Sequence, residues 1–460
     1  MSESPVLLGY DRGTVTVTAG PNGFIFSELP GVVFDPRTSA HRAQGRHYRS
    51  IVEQLLKDKI PYEDTARGWA NEPAGWKLNA ERTARDYQTE AVNAWMKGGR
   101  RGVVVMPTGT GKTFMAFLCI EKVSRPTIVV TPKIDLMVQW VRELEQSFGV
   151  EVGMVGAGEF SYKPLTVTTY DSAYIHLERW ANRYGLVIFD ECHHLPGATF
   201  SEAANASLAP FRLGLTATPD RADGAEQLLP HLIGPISYRL DINDASEFLA
   251  PYEARREYVD LTAEEDETYR NCREEYKKFA ADRGISMTGM DGFRRFLFEA
   301  SKTPEGWKAM RAFREQKRII QAASGKFKLL EHLLIRHAND RVLIFTADNA
   351  TVYEIARRYL IPAMTNQTKP KERKAILSNF HSGAFNAVVT CQVLNEGVDV
   401  PSAGVGIVLS GTGSATENVQ RLGRILRKYG DKQAVLYEVI ARNTAEEFVS
   451  DRRRQHRAFQ

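Results

Sequence analysis

Residues 189–194 read Phe-Asp-Glu-Cys-His-His, so two carboxylates, a thiol and two imidazoles crowd into six positions. These side chains support two chemistries. Cys192, His193 and His194 are of the types that hold zinc, whereas Asp190 and Glu191 suit a hard cation and a water molecule. Cys192 has no CxxC partner, and the adjacent histidines are expected to point apart on either a strand or a helix. The zinc reading is therefore the weaker one.

A second stretch decides what the carboxylates serve. Met106-Pro107-Thr108-Gly109-Thr110-Gly111-Lys112-Thr113 follows an apolar run and opens a helical pattern. In such a loop, backbone N–H groups and the helix N-terminus cradle a triphosphate, Lys112 reaches the β/γ oxygens, and the Thr113 hydroxyl binds magnesium. Met106 stands where the general phosphate-loop pattern has its first glycine, and Gly109 is expected to supply that freedom. A triphosphate loop needs an acidic element at a neighbouring strand end, and Asp190 follows Leu186-Val-Ile-Phe189. Asp190 is thus the candidate magnesium ligand and Glu191 the candidate that orients or deprotonates the attacking water. ATP and Mg2+ are the implied cofactors.

Thr216-Ala217-Thr218 ends another apolar run, and its hydroxyls are candidates to couple to the Asp190/His193 side. Farther on, Asn395-Glu-Gly397-Val-Asp399-Val-Pro401 and Gln420-Arg-Leu-Gly-Arg424-Ile-Leu-Arg427 occur without a second phosphate loop. Arg424 and Arg427 lie three apart, on one helix face with Gln420 a turn before. Gly397, Asp399, Gln420, Arg424 and Arg427 are therefore expected to reach across a cleft to the nucleotide.

Several elements must position these residues. Of the 460 residues, 43% are hydrophobic and 10% aromatic, enough for about three domains with real cores. No apolar run is long enough for a membrane span, and the N-terminal residues lack a signal-peptide pattern, so a cytoplasmic protein is expected. Cys119, Cys192, Cys272 and Cys391 are scattered, which fits a reducing compartment. A net charge of +4 does not by itself identify a polyanion partner. Short apolar runs at Gly102–Met106, Pro126–Val130, Leu165–Thr168, Leu186–Phe189 and Arg212–Leu215 read as parallel strands covered on both faces. Similar runs at Arg341–Phe345, Asn386–Thr390, Gly404–Leu409 and Ala434–Val439 form a second set. The expected fold is α/β: a small α/β domain over 1–80, lobe one over 81–245, a helical insertion over 246–325 in which the strand signal vanishes, and lobe two with a basic tail over 326–460.

This ordered set resembles superfamily-two nucleic-acid helicases, and within them the XPB family of DNA-repair helicases. The carrying segments are Arg85-Asp-Tyr-Gln88, Leu165–Tyr174, Asp190–Pro196, Ala209–Thr218 and Gln420–Arg427. The resemblance implies two RecA-like lobes, a damage-recognition domain in the first 80 residues, and a thumb in the helical insertion. It implies adenine contacts from Gln88 and Arg85, and an ATP-dependent motor moving 3′ to 5′ on forked, bubble or damaged DNA in excision repair. A repair nuclease is an implied partner. The family commonly carries Arg-Glu-Asp after the TAT element for strand separation, whereas this chain has Arg221-Ala222-Asp223. That departure leaves room for a duplex translocase that does not unwind. A DNA-binding scaffold switched by ATP, recruiting a nuclease, is a further alternative.

Tracking along DNA needs phosphate contacts in both lobes. Candidates are Thr131 and Lys133, Thr168 and Thr169, Arg221 and Asp223, and Thr346 with Thr390 in lobe two. Each threonine equally fits a cap or loop hydroxyl. Phe293, Arg294, Arg295, Phe296 and Phe298 interleave basic and aromatic residues for base stacking, though a helix with a buried aromatic face explains them as well. Phosphate tracking alone does not distinguish RNA from DNA.

Overall fold

The structure, a computed structural model, describes residues 4–69, 74–79, 82–221, 223–241, 252–287, 289–391, 403–411 and 434–453. The chain divides into two compact units, residues 1–245 and 246–460.

The first unit opens with β1 (Val6–Asp11) and β2 (Thr14–Thr18), a hairpin whose turn residues Arg12 and Gly13 have φ of +47° and +85°. Turns of that hand match the right-handed strand twist, and glycine adopts positive φ without strain. With β3 (Val33–Asp35), β4 (Ala40–Gln44) and β5 (Tyr62–Asp64) the sheet order is β3-β4-β2-β1-β5. Strand alternation buries Val6, Leu8, Val15 and Val17 with Ile51 and Leu55 of α1 (Tyr48–Lys57). Beyond this domain, Ala74 N–H donates to Ser124 O and Asn79 N–H to Ser147 O, which fastens the connecting residues onto the following lobe.

That lobe runs α2 (Asp86–Lys97), β6 (Arg101–Val105), α3 (Lys112–Val123), β7 (Thr127–Thr131), α4 (Ile134–Phe148), β8 (Gly153–Gly156), β9 (Glu159–Phe160), β10 (Leu165–Thr169), α5 (Tyr170–Ile175), α6 (Leu177–Trp180), β11 (Leu186–Asp190), α7 (Ser201–Ala206), β12 (Phe211–Thr216), α8 (Leu229–Leu232) and β13 (Ile236–Arg239). The sheet order is β13-β6-β12-β11-β7-β10-β8-β9, parallel throughout except for β8 with β9. β7, β10 and β11 are buried along their whole length, which explains their unbroken apolar or threonine-rich sequences. Because β6, β12 and β11 are immediate neighbours in one direction, the loops that follow them meet at one sheet edge.

The second unit contains β14 (Tyr252–Val259), α9 (Ala263–Asp282), α10 (Gly289–Ala300), α11 (Pro304–Gln321), α12 (Ser324–Arg336), β15 (Val342–Thr346), α13 (Asn349–Tyr359), β16 (Ala363–Met364), α14 (Pro370–Ser382), β17 (Ala387–Cys391), β18 (Val405–Val408), β19 (Ala434–Ala441) and α15 (Ala445–Arg453). Among the described residues its parallel sheet has the order β14-β19-β18-β15-β17-β16.

One expectation is overturned here. Residues 250–325 were expected to hold no strand, yet β14 pairs with β19 from Tyr252↔Ala434 to Val259↔Ala441. Its sequence, Tyr-Glu-Ala-Arg-Arg-Glu-Tyr-Val, is charged because an edge strand has a single neighbour and a partly solvated surface. The helices that follow do pack as a cluster. Phe296 is fully buried among Tyr276, Phe279 and Phe313, with Phe293 partly buried beside them. Those aromatics form a helical core, whereas Phe298, 62% exposed, stays open to solvent under the Lys302 ammonium.

Beneath the sheet of the first unit, Arg212 is fully buried on β12. Its guanidinium donates to the carbonyls of Ser207 and Leu232 at 2.6 Å each, Ala204 at 3.0 Å and Ala209 at 3.3 Å. Among the described residues no carboxylate pairs with it, and burial, reinforced by Arg101 and Arg46, lowers its pKa well below the usual arginine value. The network joins β12 to α7 and α8. Arg212→Ala would strand several buried carbonyls and is expected to destabilise the protein by about 3–5 kcal/mol, read as a shift in the denaturation midpoint. Arg212→Lys should recover less than half of that loss, since an ammonium cannot present the same planar fork of donors.

Candidate active site

The phosphate loop leaves β6 at Met106, which is fully buried and whose N–H donates to Thr216 O at 3.0 Å. Gly109 and Gly111 have φ of +90° and +81°, so Gly109 does carry the freedom that the first position lacks. At Gly111 a Cβ would also stand 2.6 Å from the Gln88 amide nitrogen and push that side chain from the loop, so the positive φ and the Gln88 contact both favour glycine. Thr110 is pinned by its hydroxyl donating to Pro107 O at 2.7 Å. Lys112, almost fully buried at the start of α3, donates to Met106 O at 3.2 Å, and Thr113 sits half-buried beside it. The Thr108 hydroxyl is buried with no hydrogen-bond partner, an orphan of the kind a phosphate oxygen would satisfy.

Gln88 and Arg85 lie at the N-terminus of α2, against this loop. The Gln88 amide donates to Thr110 O at 3.0 Å, and its side-chain oxygen accepts from Arg85 N–H at 3.0 Å. Arg85 donates to the Tyr87 hydroxyl, which donates to Thr110 O, each at 2.8 Å. Gln88 is thus spent on shaping the loop in this structure, and Tyr87, which the sequence reading passed over, shares that work.

Asp190 ends β11 and is 6% exposed. Each of its oxygens has a donor: Trp140 Nε1 at 2.7 Å from Oδ2, and Glu191 N–H at 3.0 Å from Oδ1. Burial, helped by the Glu191 carboxylate, pushes the Asp190 pKa up to about 7, against the pull of the Trp140 hydrogen bond and of Lys112. Glu191 adopts φ of +45°, left-handed backbone for a non-glycine residue, and its buried Oε2 has no hydrogen bond. A buried carboxylate held off ionisation, an orphaned carboxylate oxygen and a nearby threonine hydroxyl are what a hard cation with oxygen ligands requires. Phosphate-loop magnesium needs few protein ligands, so this donor set fits it although the described residues hold no cluster of three or more His, Cys, Asp or Glu side chains placed to bind a metal.

Soft-metal chemistry does not fit. Cys192 is fully buried, burial first, then Glu191 and Asp190, raises its thiol pKa well above the ordinary value, and the described residues place no cluster of three or more His, Cys, Asp or Glu side chains around it. The expected reason was only half right: His193 and His194 do not point apart, since the short helical turn Cys192–His194 brings their rings to 4.3 Å. His193 Nδ1 lies 3.0 Å from Thr216 Oγ1 and 3.5 Å from Glu191 Oε2. The Thr216 hydroxyl also donates to Thr218 O at 3.0 Å and accepts from Thr218 N–H at 3.1 Å. With one proton to give, Thr216 satisfies all three neighbours only when His193 Nδ1 carries hydrogen and donates. Ala217, buried between the two threonines, leaves that geometry undisturbed.

The candidate DNA contacts fare differently. Thr131, Thr168, Thr169, Thr346 and Thr390 are all buried. Thr131 donates to Thr168 O at 3.2 Å, Thr168 to Val155 O at 2.8 Å and Thr346 to Asp348 O at 3.0 Å, while Thr169 caps α5 by accepting from Ser172 N–H at 3.2 Å. These hydroxyls serve loops and caps, and Thr390 Oγ1 is buried with no hydrogen-bond partner among the described residues. Lys133 is the half-buried N-cap residue of α4. Arg221 forms a two-pronged ion pair with Asp223 at 2.7 and 2.8 Å and donates to His193 O at 2.6 Å. That pairing holds the Asp223 carboxyl well below the usual carboxylate range. Ala222, Gly397, Asp399, Gln420, Arg424 and Arg427 lie outside the described residues.

Asp190 gives a pH test. Its pKa is about 7 in the folded chain against roughly 3.9 unfolded, so the native state keeps the proton longer. The metal-free protein should therefore lose stability as pH rises from about 4 through about 7. Thermal unfolding of Asp190→Asn, which cannot ionise, should show a higher Tm than wild type at pH 8, with the difference closing as pH falls to about 3.5. Added Mg2+ should narrow the pH 8 difference by raising the wild type.

Comparisons with known proteins supply the family. Family models match for the type III restriction enzyme res subunit over residues 81–221, the ERCC3/RAD25/XPB C-terminal helicase over 305–460, and the xeroderma pigmentosum group B helicase damage recognition domain over 8–66. The chain is 38% identical over 436 residues to the DNA 3′-5′ translocase XPB2 of Sulfurisphaera tokodaii, covering 94% of this chain and 98% of that one. It is 31% identical over 428 residues to the DNA 3′-5′ helicase XPB of Mycobacterium tuberculosis, covering 88% and 69%. The Pyrococcus furiosus Hef helicase domain superposes with a TM-score of 0.53 at 18% identity, over 81% of this chain and 98% of that domain, and speaks for the helicase fold. On the strength of near full-length similarity and these matched domains, the chain belongs to the XPB family of DNA helicases and translocases.

Proposed function

We propose that this chain is an ATP-driven motor that moves 3′ to 5′ on DNA and uses the stroke to open duplex, in excision repair or a related process. One observation carries the reading: three adjacent parallel strands deliver Lys112, Asp190 with Glu191, and Thr216 to a single edge, with His193 joining the last two. Bound Mg·ATP would supply the phosphoryl group to be transferred to water. The loop amides and Lys112 would hold its phosphates, and Thr113 with Asp190 would hold the metal. Glu191 orients the water and takes its proton. His193, bonded to Thr216 and close to Glu191, relays changes at the nucleotide to Thr216-Ala217-Thr218 and, through its carbonyl, to Arg221. Gly397, Asp399, Gln420, Arg424 and Arg427 are proposed as further nucleotide contacts. DNA is the proposed partner, with a repair nuclease beside it. Among the described residues no helix is long and apolar enough to cross a membrane.

A second reading rests on Arg221. Its guanidinium is occupied by Asp223 and by His193 O, and no acidic residue stands at 222, so a wedge between strands is weakly furnished. This favours translocation along duplex without separation of strands.

Purified protein should hydrolyse ATP faster with DNA present, and Lys112→Ala should abolish the turnover. Glu191→Gln should lower kcat by roughly 10²–10⁴ while ATP still binds. DNA-independent turnover that survives Lys112→Ala would sink the proposal. On a forked duplex, slow wild-type displacement that Ala222→Glu accelerates would select the translocase reading, and brisk wild-type displacement the helicase reading.

A further inference from the structure

Trp140 lies on α4, two turns beyond the Thr131-Pro132-Lys133 loop, and is 1% exposed. Its ring packs edge-on against Phe117 of α3, the helix that begins at Lys112, with centroids 5.6 Å apart. Its Nε1–H donates to Asp190 Oδ2 at 2.7 Å, 50 residues away in sequence. One buried side chain thus touches the phosphate-loop helix and the candidate magnesium carboxylate, and it rides on the helix capped by the candidate DNA loop. A core tryptophan has apolar neighbours in plenty and needs one acceptor for its N–H. Here that acceptor is the one carboxylate whose direction matters to a metal.

We propose that Trp140 is a positioning residue for ATP hydrolysis: its indole N–H fixes the Asp190 carboxylate for the cation. The inference rests on the magnesium reading of Asp190 under the proposed function. With Oδ2 tied to the indole and Oδ1 to the Glu191 amide, the carboxylate has no freedom to rotate about its last bond, so its remaining lone pairs face a set direction. Partners that orient a metal ligand in this way typically change metal affinity or activity by 10–100-fold when removed.

The test uses the full chain and MgCl2 as probe. Binding of a fluorescent ATP analogue is titrated with Mg2+ in wild type and Trp140→Phe, beside DNA-stimulated ATPase. The expected result is a Mg2+ half-saturation raised about tenfold or more in both assays, with metal-free nucleotide affinity unchanged. In an Asp190→Asn background, Trp140→Phe should shift Mg2+-dependent binding no further. A tryptophan isostere carrying sulfur in place of the ring N–H, inserted at 140, removes the hydrogen alone and should reproduce the shift even where Trp140→Phe folds poorly. Unchanged Mg2+ half-saturation in the isostere, or an equal shift in the Asp190→Asn background, overturns the inference. Loss of the proposed function itself looks different: wild type would then show no Mg2+-dependent nucleotide binding at all.

Discussion

The structure turns on one costly placement, a carboxylate at the end of a fully buried strand. Moving an ionised carboxylate out of water is paid for only by hydrogen bonds, an opposite charge, or protonation. Asp190 receives two neutral donors, and Lys112 adds a favourable charge that does not overcome burial and the neighbouring Glu191. The arrangement is one that the proposed divalent cation would complete. Its surroundings follow from that: β11 must be central, Trp140 must reach across from α4, and the chain must turn sharply at Glu191, which takes positive φ to offer its own amide to Asp190.

From that point a chain of short contacts leads away from the nucleotide edge. Glu191 Oε2 and the Thr216 hydroxyl share His193 Nδ1, Thr216 closes the turn to Thr218, and the His193 carbonyl holds Arg221. Spatial adjacency does not make a signal; a two-state element does. Glu191 has the makings of one, since its backbone is strained and its buried Oε2 is unsatisfied, so a bound water would change its hydrogen bonding where His193 also reads it.

What the sequence disclosed follows from how local each signal is. The phosphate loop, the Asp190-Glu191 pair and the apolar strands of both sheets are written in consecutive residues, and the structure has those strands where the runs fall. Trp140, Tyr87 and Arg212 were illegible because their partners are supplied by the fold: Trp140 meets Asp190 across 50 residues, and the Tyr87 hydroxyl meets Thr110 across 23. The strand β14 was missed for an energetic reason, since a one-neighbour edge tolerates charges that read as helix. The strand-end threonines take the cap and loop roles that the sequence held open for them. Threonine is favoured in strands and caps alike, so Thr131, Thr169 and Thr346 could be placed at the right edge by sequence while their hydroxyls turn inward.

Buried charge by itself does not mark a working site, and the two units show why. In the second unit Lys326 is fully buried, yet its ammonium meets both oxygens of Glu446 at 2.8 and 2.7 Å and Leu409 O at 2.7 Å, while Glu446 also accepts from Ala441 N–H. That cluster is closed, and it fastens α12 and α15 to the sheet. Arg212 is closed as well, by carbonyls. Orphaned atoms alone are no better a marker, because Tyr10, Tyr162 and Ser237 carry them far from any phosphate loop. The edge at Asp190 differs in combining a charge left short of compensation, an orphaned carboxylate oxygen on a strained residue, and an orphaned hydroxyl in a glycine-rich loop. On the proposed reading magnesium would remove the first deficit, a bound water the second and a phosphate oxygen the third, so nucleotide binding would return stability to this edge. That dependence is what a motor needs if binding is to change its shape.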